Sequence, residues 1–330
     1  MALFDLPLDR LTGYRPDRDE PADFDSFWRH TLDETAARPL DPVYRPYDAA
    51  LTTVTAYDTE FTGYGGDRVR AWLLIPAGIP APMPCVIHYL GYGAGRGLPH
   101  DHLVWPAAGR VALVMDTRGQ GATNPRSAGA TGDPHGTADP QAAGFVTRGI
   151  LDPAEYYYRR VFTDAVRAVD AAAAHPAVDE RRIAVHGASQ GGAVAQAAAA
   201  LRPGLEAALI DVPFLTHVRR AVDITDQDPY QEVVRFLATQ RAPETVFRTL
   251  SYFDGLNFAA RATVPALYSV ALRDTVCPPS TVMAAYHHWA GEKELTVYPW
   301  NGHEGGAGRQ RDVQLRYLRS SAGNEPTATG

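Results

Sequence analysis

Lysine is nearly missing from this chain of 330 residues, where Lys293 stands alone among arginines. With no Gly-Lys-Ser/Thr run there is no Walker-type phosphate loop, and Schiff-base chemistry has almost no candidate. Cysteine is scarce too: Cys85 and Cys277 are too few for a disulfide framework. The net charge is −7 without a basic cluster, so no nucleic-acid partner is expected. No apolar run is long enough to span a bilayer, so no membrane association is expected. The first residues, Met1 to Pro7, lack the basic region and apolar stretch of a signal peptide. These absences together lead us to expect a cytoplasmic protein.

What remains is ordinary globular composition, 45% apolar and 21% charged, at a length that supports one core. Periodicity predicts a helix over 24–37 with Asp23 as its cap and Phe24, Phe27, Trp28 and Leu32 on one face. Strand patterns at 54–59 and 69–75 flank a turn at 63–67 and read as a hairpin. Further apolar runs lie at 85–90, 111–115, 183–185, 207–210, 266–270 and 295–298. Helical stretches at 155–174, 193–201, 230–238 and 281–289 separate most of them. Alternation of this kind predicts an α/β fold, a mostly parallel sheet with helices on both faces. A single domain is expected over 1–318, with 203–258 as a helical cap and 319–330 as a frayed tail. The segment 122–147, rich in small and polar residues, reads as a functional or disordered loop.

The most informative stretch is Ile183-Ala184-Val185-His186-Gly187-Ala188-Ser189-Gln190-Gly191-Gly192. A short strand, a G-x-S-x-G turn and a helix form the context of a nucleophile elbow. A serine hydroxyl needs a base, and the base needs a carboxylate to orient it. In elbow hydrolases the acid and then the histidine follow the serine. Of eleven histidines, four follow Ser189: His217, His287, His288 and His303. His287 and His288 fall in a predicted helix, and His217 in the cap. His303 follows the last strand in a glycine-flanked loop. For the acid, Asp274 follows a strand and precedes a proline-stiffened turn; Asp211 is the rival.

The oxyanion of acyl transfer needs two N–H donors. Gln190, at the start of the helix, is one candidate. Tyr92, in the loop Gly91-Tyr92-Gly93-Ala94-Gly95-Arg96-Gly97, is the other. Arg118 and Gln120 read as a structural clamp beside the site. His100 and His102 are close together, but nothing else stands at zinc spacing, and His303-Glu304 does not open an H-E-x-x-H motif. Neither a metal nor a cofactor is expected. Tyr92, Pro213 and Cys277 are the expected walls of a small acyl pocket. A longer-acyl lipase or a serine peptidase shares this triad order, and a non-catalytic hydrolase-like binding protein is the reading from another class.

Arg118-Gly119-Gln120, Gly187-Ala188-Ser189-Gln190-Gly191 and His303-Glu304 occur in order. With them come Gly91-Tyr92, Arg96 to Asp101, Thr147 to Ile150, Tyr156 to Arg160, Asp211 to Phe214 and Asp274 to Pro279. Over residues 1–318 the chain resembles the acetyl xylan esterases and cephalosporin C deacetylases of carbohydrate esterase family seven. The resemblance implies an α/β-hydrolase fold with an N-terminal extension. It implies Ser189, Asp274 and His303 as the triad and the Tyr92 and Gln190 N–H groups as the oxyanion hole, with Glu304 as a supporting residue. It further implies deacetylation of short xylo-oligosaccharides, other acetylated sugars and cephalosporin C. Such enzymes are intracellular hexamers whose inner cavity excludes polymeric xylan, and some also form peracids. Ala188, where a second glycine is common, and the segment 129–143 depart from the family pattern.

Overall fold

The structure, a computed structural model, describes residues 3–124, 127–136 and 138–321. Nine strands form one sheet: β1 (Val43–Tyr47), β2 (Val54–Thr62), β3 (Arg68–Pro76), β4 (Met83–Tyr89), β5 (Val111–Met115), β6 (Val178–Ala188), β7 (Ala207–Asp211), β8 (Ala266–Ala271) and β9 (Lys293–Tyr298). Their order is β1-β2-β3-β5-β4-β6-β7-β8-β9. Pairing from β5 through β9 is parallel, whereas β1, β2 and β3 are antiparallel and β3 joins β5 antiparallel. The expected hairpin and parallel sheet are both present.

Side chains alternate between the two faces, as the pleat requires. Cys85, Ile87 and Tyr89 of β4 join the larger core with Leu113, Val185, Ile210 and Tyr268. Val86 joins the smaller one with Trp72, Val114, Ala184 and Leu209. The long helices Phe24–Ala36, Tyr157–Ala173 and Gln190–Leu201 contribute to the larger core, while Leu318 of the helix Ala307–Ser321 packs into the smaller. Both faces are therefore covered, and the strand ends remain for chemistry.

Several expectations need correction. Strand β1 was not foreseen. Asp23 precedes the first long helix but makes no side-chain cap; its carboxylate accepts the Tyr252 hydroxyl at 2.5 Å instead. Residues 203–258 are not one helical cap, because β7 lies in the central sheet. The helical insertion runs from Val218–Ile224 through Tyr230–Gln240 and Pro243–Ser251 to Gly255–Ala259. The expected frayed tail from 319 is corrected at its start, since the last helix extends to Ser321; 322–330 lie outside the described residues. The 122–147 segment is held by specific bonds: Asp116 accepts the N–H groups of Ala130 and Thr131, both at 2.6 Å, and Gly119 N–H donates to Thr131 O at 2.9 Å. Pro125, Arg126 and Thr137 of that segment lie outside the described residues.

Candidate active site

Ser189 sits between the end of β6 and the helix Gln190–Leu201 with φ 55° and ψ −120°. A side chain at positive φ costs on the order of 1–3 kcal/mol and persists only where the surroundings impose it. Four backbone features impose it here. Ser189 N–H donates to Asp211 O at 3.0 Å, and Phe214 N–H donates to Ser189 O at 3.0 Å. Gly187 lies against Gly191 so closely that a Cβ would overlap the Gly191 carbonyl group. Gly191 in turn faces the Tyr89 carbonyl, where a Cβ has no room. Ala188 is exposed, so its methyl group displaces nothing at the elbow.

The parallel strands deliver the partners. Asp274 follows β8 and His303 follows β9, and the two loops are tied by Leu272 N–H to Tyr298 O (3.0 Å) and Arg273 N–H to Asn301 O (3.1 Å). His303 Nε2 lies 3.0 Å from Ser189 Oγ. His303 Nδ1 lies 2.9 Å and 3.1 Å from the two oxygens of Asp274. A carboxylate only accepts, so Nδ1 carries the proton and Nε2 is left to accept from the serine. Asp274 is 1% exposed and also accepts the N–H groups of Val276 (2.8 Å) and Cys277 (2.9 Å). Four contacts thus fix the carboxylate that fixes the imidazole. Glu304 accepts from Asn301 Nδ2 (2.7 Å) and Gly302 N–H (3.0 Å), shaping the loop that carries His303.

The rival acid is elsewhere. Asp211 accepts from Ser269 (2.9 Å), Gln310 (2.9 Å) and Gln314 (2.6 Å), a buried structural network. The other three histidines after Ser189 lie elsewhere, as does His102. His287 and His288 bond main-chain carbonyls of Leu11 and Pro16, His217 begins a helix of the insertion, and His102 bonds Arg96 O.

The loop after β4 crosses beside the elbow. Gln190 Nε2 donates to Leu90 O (3.2 Å) and Gly91 O (3.3 Å), and Gln120 Oε1 accepts Gly93 N–H at 2.7 Å. Tyr157 and Tyr158 complete this network, bonding Gln120 Nε2 at 3.0 Å and Gln190 Oε1 at 2.8 Å. Among the described residues, neither Tyr92 N–H nor Gln190 N–H meets a protein acceptor. The peptide 91–92 is planar, so fixing Gly91 O fixes the direction of Tyr92 N–H.

Arg118, expected as a clamp, lies buried among carboxylates. Its guanidinium is 1% exposed and binds Asp164 at 2.6 and 2.8 Å, Asp67 at 2.8 Å and Asp133 at 3.4 Å. Pro213 is buried against Gly192 in the first turn of the elbow helix. Cys277 is buried with its thiol in hydrogen-bonding reach of Ser189, and burial pushes that thiol up. Asp274, Cys277 and His303 present ligand atoms within 4.8 Å of one another. Each is otherwise engaged: Asp274 and His303 with one another, and Cys277 as a thiol kept protonated by burial. Glu232, whose carboxylate accepts the Tyr92 hydroxyl at 2.8 Å, and Tyr158 are contacts that sequence reasoning missed. Glu232 gave no local signal, and Tyr158 appeared only within a tyrosine run without a role.

A serine held in a strained strand-to-helix turn, with a histidine and an aspartate from later strand ends of a mostly parallel sheet, defines an α/β hydrolase. The acetyl xylan esterase (AXE1) family model matches residues 1–321. The structure is similar to the acetyl xylan esterase from Paenibacillus sp. R4, with a TM-score of 0.88 and 38% identity over 96% of this chain and 99% of that one. It is similar also to acetyl xylan esterase 1 from Thermoanaerobacterium sp. JW/SL YS485, with a TM-score of 0.87 and 32% identity over the same shares. In sequence it is 29% identical to the acetyl esterase Axe7A of Xylanibacter ruminicola over 88% of this chain, which spans 65% of that relative. The chain belongs to the acetyl xylan esterase family. No helix among the described residues is long and apolar enough to cross a membrane.

Proposed function

We propose that the protein is a serine carboxylic ester hydrolase that removes acetyl groups from small acetylated substrates. The observation that carries this reading is the unbroken hydrogen-bonded line from Ser189 Oγ through His303 to Asp274. Ser189 attacks the acetyl carbonyl while His303 Nε2 takes its proton. Asp274 holds the imidazole and stabilises the imidazolium that forms. The oxyanion lies between the N–H groups of Gln190 and Tyr92, which meet no acceptor among the described residues. His303 returns the proton to the leaving alcohol, and water then hydrolyses the acetyl-enzyme by the reverse sequence. No step requires a cofactor.

The pocket for the acyl group is bounded by Tyr92, Pro213 and Cys277. The thiol beside Ser189 and Pro213, which packs against Gly192 of the elbow helix, favour a small acyl group. Acetylated xylo-oligosaccharides and other acetylated sugars are the favoured substrates, in keeping with what the similar acetyl xylan esterases are named for. Cephalosporin C as a second substrate, hexameric assembly and cytoplasmic residence rest on the family resemblance, and native mass spectrometry tests the assembly. An acetate-release screen over acetylated xylobiose, cephalosporin C and simple esters, run beside Ser189→Ala, tests the reading. Release by the wild type and its loss in Ser189→Ala are expected. Near wild-type hydrolysis by that variant would refute the mechanism.

A further inference from the structure

The helical insertion between β7 and β8 reaches the candidate oxyanion loop through one buried carboxylate. Glu232, on the helix Tyr230–Gln240, is 8% exposed. Its two oxygens lie 2.8 and 2.9 Å from the Tyr92 hydroxyl, although the residues are 140 positions apart. The same carboxylate accepts Val146 N–H at 3.3 Å. The Tyr92 oxygen meanwhile accepts Phe145 N–H at 2.8 Å and, more distantly, Gly144 and Val146 N–H, both at 3.3 Å. Since a carboxylate can only accept, the Tyr92 proton must point at Glu232, and the phenol's lone pairs are left for the turn at 144–146. The ring is wedged by Phe145, with centroids 5.5 Å apart, and by Phe214 at 6.3 Å.

Tyr92 is therefore held from both ends. Gln190 grips the carbonyl of the 91–92 peptide, Gln120 grips Gly93 N–H, and Glu232 holds the tip of the side chain. Burying a carboxylate is costly unless it is hydrogen-bonded, and this one spends its bonds on Tyr92 and the neighbouring turn.

We propose that Glu232 is a positioning residue for the reaction: carried by the insertion, it fixes Tyr92 so that the Tyr92 N–H stays aimed at the acyl oxygen. The inference rests on the reading of Tyr92 N–H as an oxyanion donor. Losing the anchor lets the loop after β4 relax. A displacement of about 1 Å at such a donor costs about 100-fold in rate. Because the donor acts on the charge that develops in the transition state, the loss falls on kcat and not on KM.

The test uses the full chain and p-nitrophenyl acetate. Five proteins are compared: wild type, Glu232→Ala, Glu232→Gln, Tyr92→Phe and the double variant Glu232→Ala/Tyr92→Phe. Glu232→Ala is expected to lower kcat by about 10- to 100-fold with KM within about twofold. Glu232→Gln keeps an acceptor for the hydroxyl and is expected to recover most of the loss, which a merely structural acid would not predict. Tyr92→Phe should match Glu232→Ala, and the double variant should be no worse than either single one. If Glu232→Ala does not fold, Glu232→Gln and Tyr92→Phe still decide. A Tyr92→Phe variant with wild-type kcat overturns the proposal. So do additive losses, or a loss carried by KM. Each of these outcomes leaves Ser189→Ala inactive and the esterase reading intact, whereas an active Ser189→Ala would remove the reading itself.

Discussion

Gly187→Ala is the sharpest small perturbation of the elbow. A Cβ at 187 would lie 2.7 Å from Gly191 Cα and closer still to the Gly191 carbonyl group. Carbon atoms pack at about 3.5–4.0 Å, so the turn would have to open by roughly 1 Å. The obstacle is backbone and cannot rotate away. Nor can Gly191 retreat, because it already faces the Tyr89 carbonyl across a gap too small for a methyl group. The strain must fall on the residues between, Ala188, Ser189 and Gln190, which carry the nucleophile and one oxyanion donor. A shift of about 1 Å there costs about 100-fold in rate. Overpacking of this kind also destabilises by about 1–3 kcal/mol. Both are measurable: kcat/KM on p-nitrophenyl acetate well below the unfolding temperature, corrected by active-site titration with a fluorophosphonate, and the urea midpoint. A folded Gly187→Ala protein is expected to lose about 100-fold in kcat/KM. Wild-type activity together with a wild-type midpoint would refute the account of how Ser189 is held.

Arg118→Met should be costly for the fold, because it strands Asp164, 1% exposed, without its cation, while Asp133 keeps Arg160. The expected loss is about 3–5 kcal/mol in urea unfolding, and a loss below about 1 kcal/mol would contradict the clamp. Acid stability should report His186, whose pKa is held well below the usual value by burial first and by neighbouring Arg311 second. Below pH about 6.5 the unfolded chain binds a proton that the folded one refuses, so stability falls as pH falls, by about 1.4 kcal/mol per pH unit for this group. His186→Gln should reduce that slope between pH 6.5 and 5, and an unchanged slope would reject the assignment. In a p-nitrophenyl ester series, acetyl should exceed butyryl by at least about tenfold if the proposed walls Cys277, Pro213 and Tyr92 bound the acyl group, because each added methylene would then overpack them. Equal rates across the series would show the pocket to be open.

The parts of the molecule that were readable in advance are those written locally. The elbow is ten consecutive residues whose glycines are demanded by contacts within the same turn, so Gly187, Ser189 and Gly191 announce themselves. His303 and Asp274 follow from strand order, since parallel strands bring successive carboxyl ends to one edge. Strand β1 escaped because Pro46 breaks the pattern and because it is a half-exposed edge, the one place a proline is tolerated in a sheet. The Asp23 cap failed because Tyr252, 229 positions away, takes its carboxylate. Arg118 announced a clamp but not its partners, which lie 15, 46 and 51 positions away. The Glu232–Tyr92 contact has the same character: the loop announces Tyr92 but not the partner of its hydroxyl, Glu232 carries no local signature, and only the docked insertion brings them together.

The central claim is that Ser189 carries the acetyl group between substrate and water. Rapid acid quench of the enzyme during turnover of p-nitrophenyl acetate, followed by peptide mass spectrometry, tests this directly. The account predicts one acetyl group on the peptide containing Ser189 and none in Ser189→Ala. An acetyl group found on another residue, or turnover by Ser189→Ala at the wild-type rate with no acetylated peptide, would contradict it.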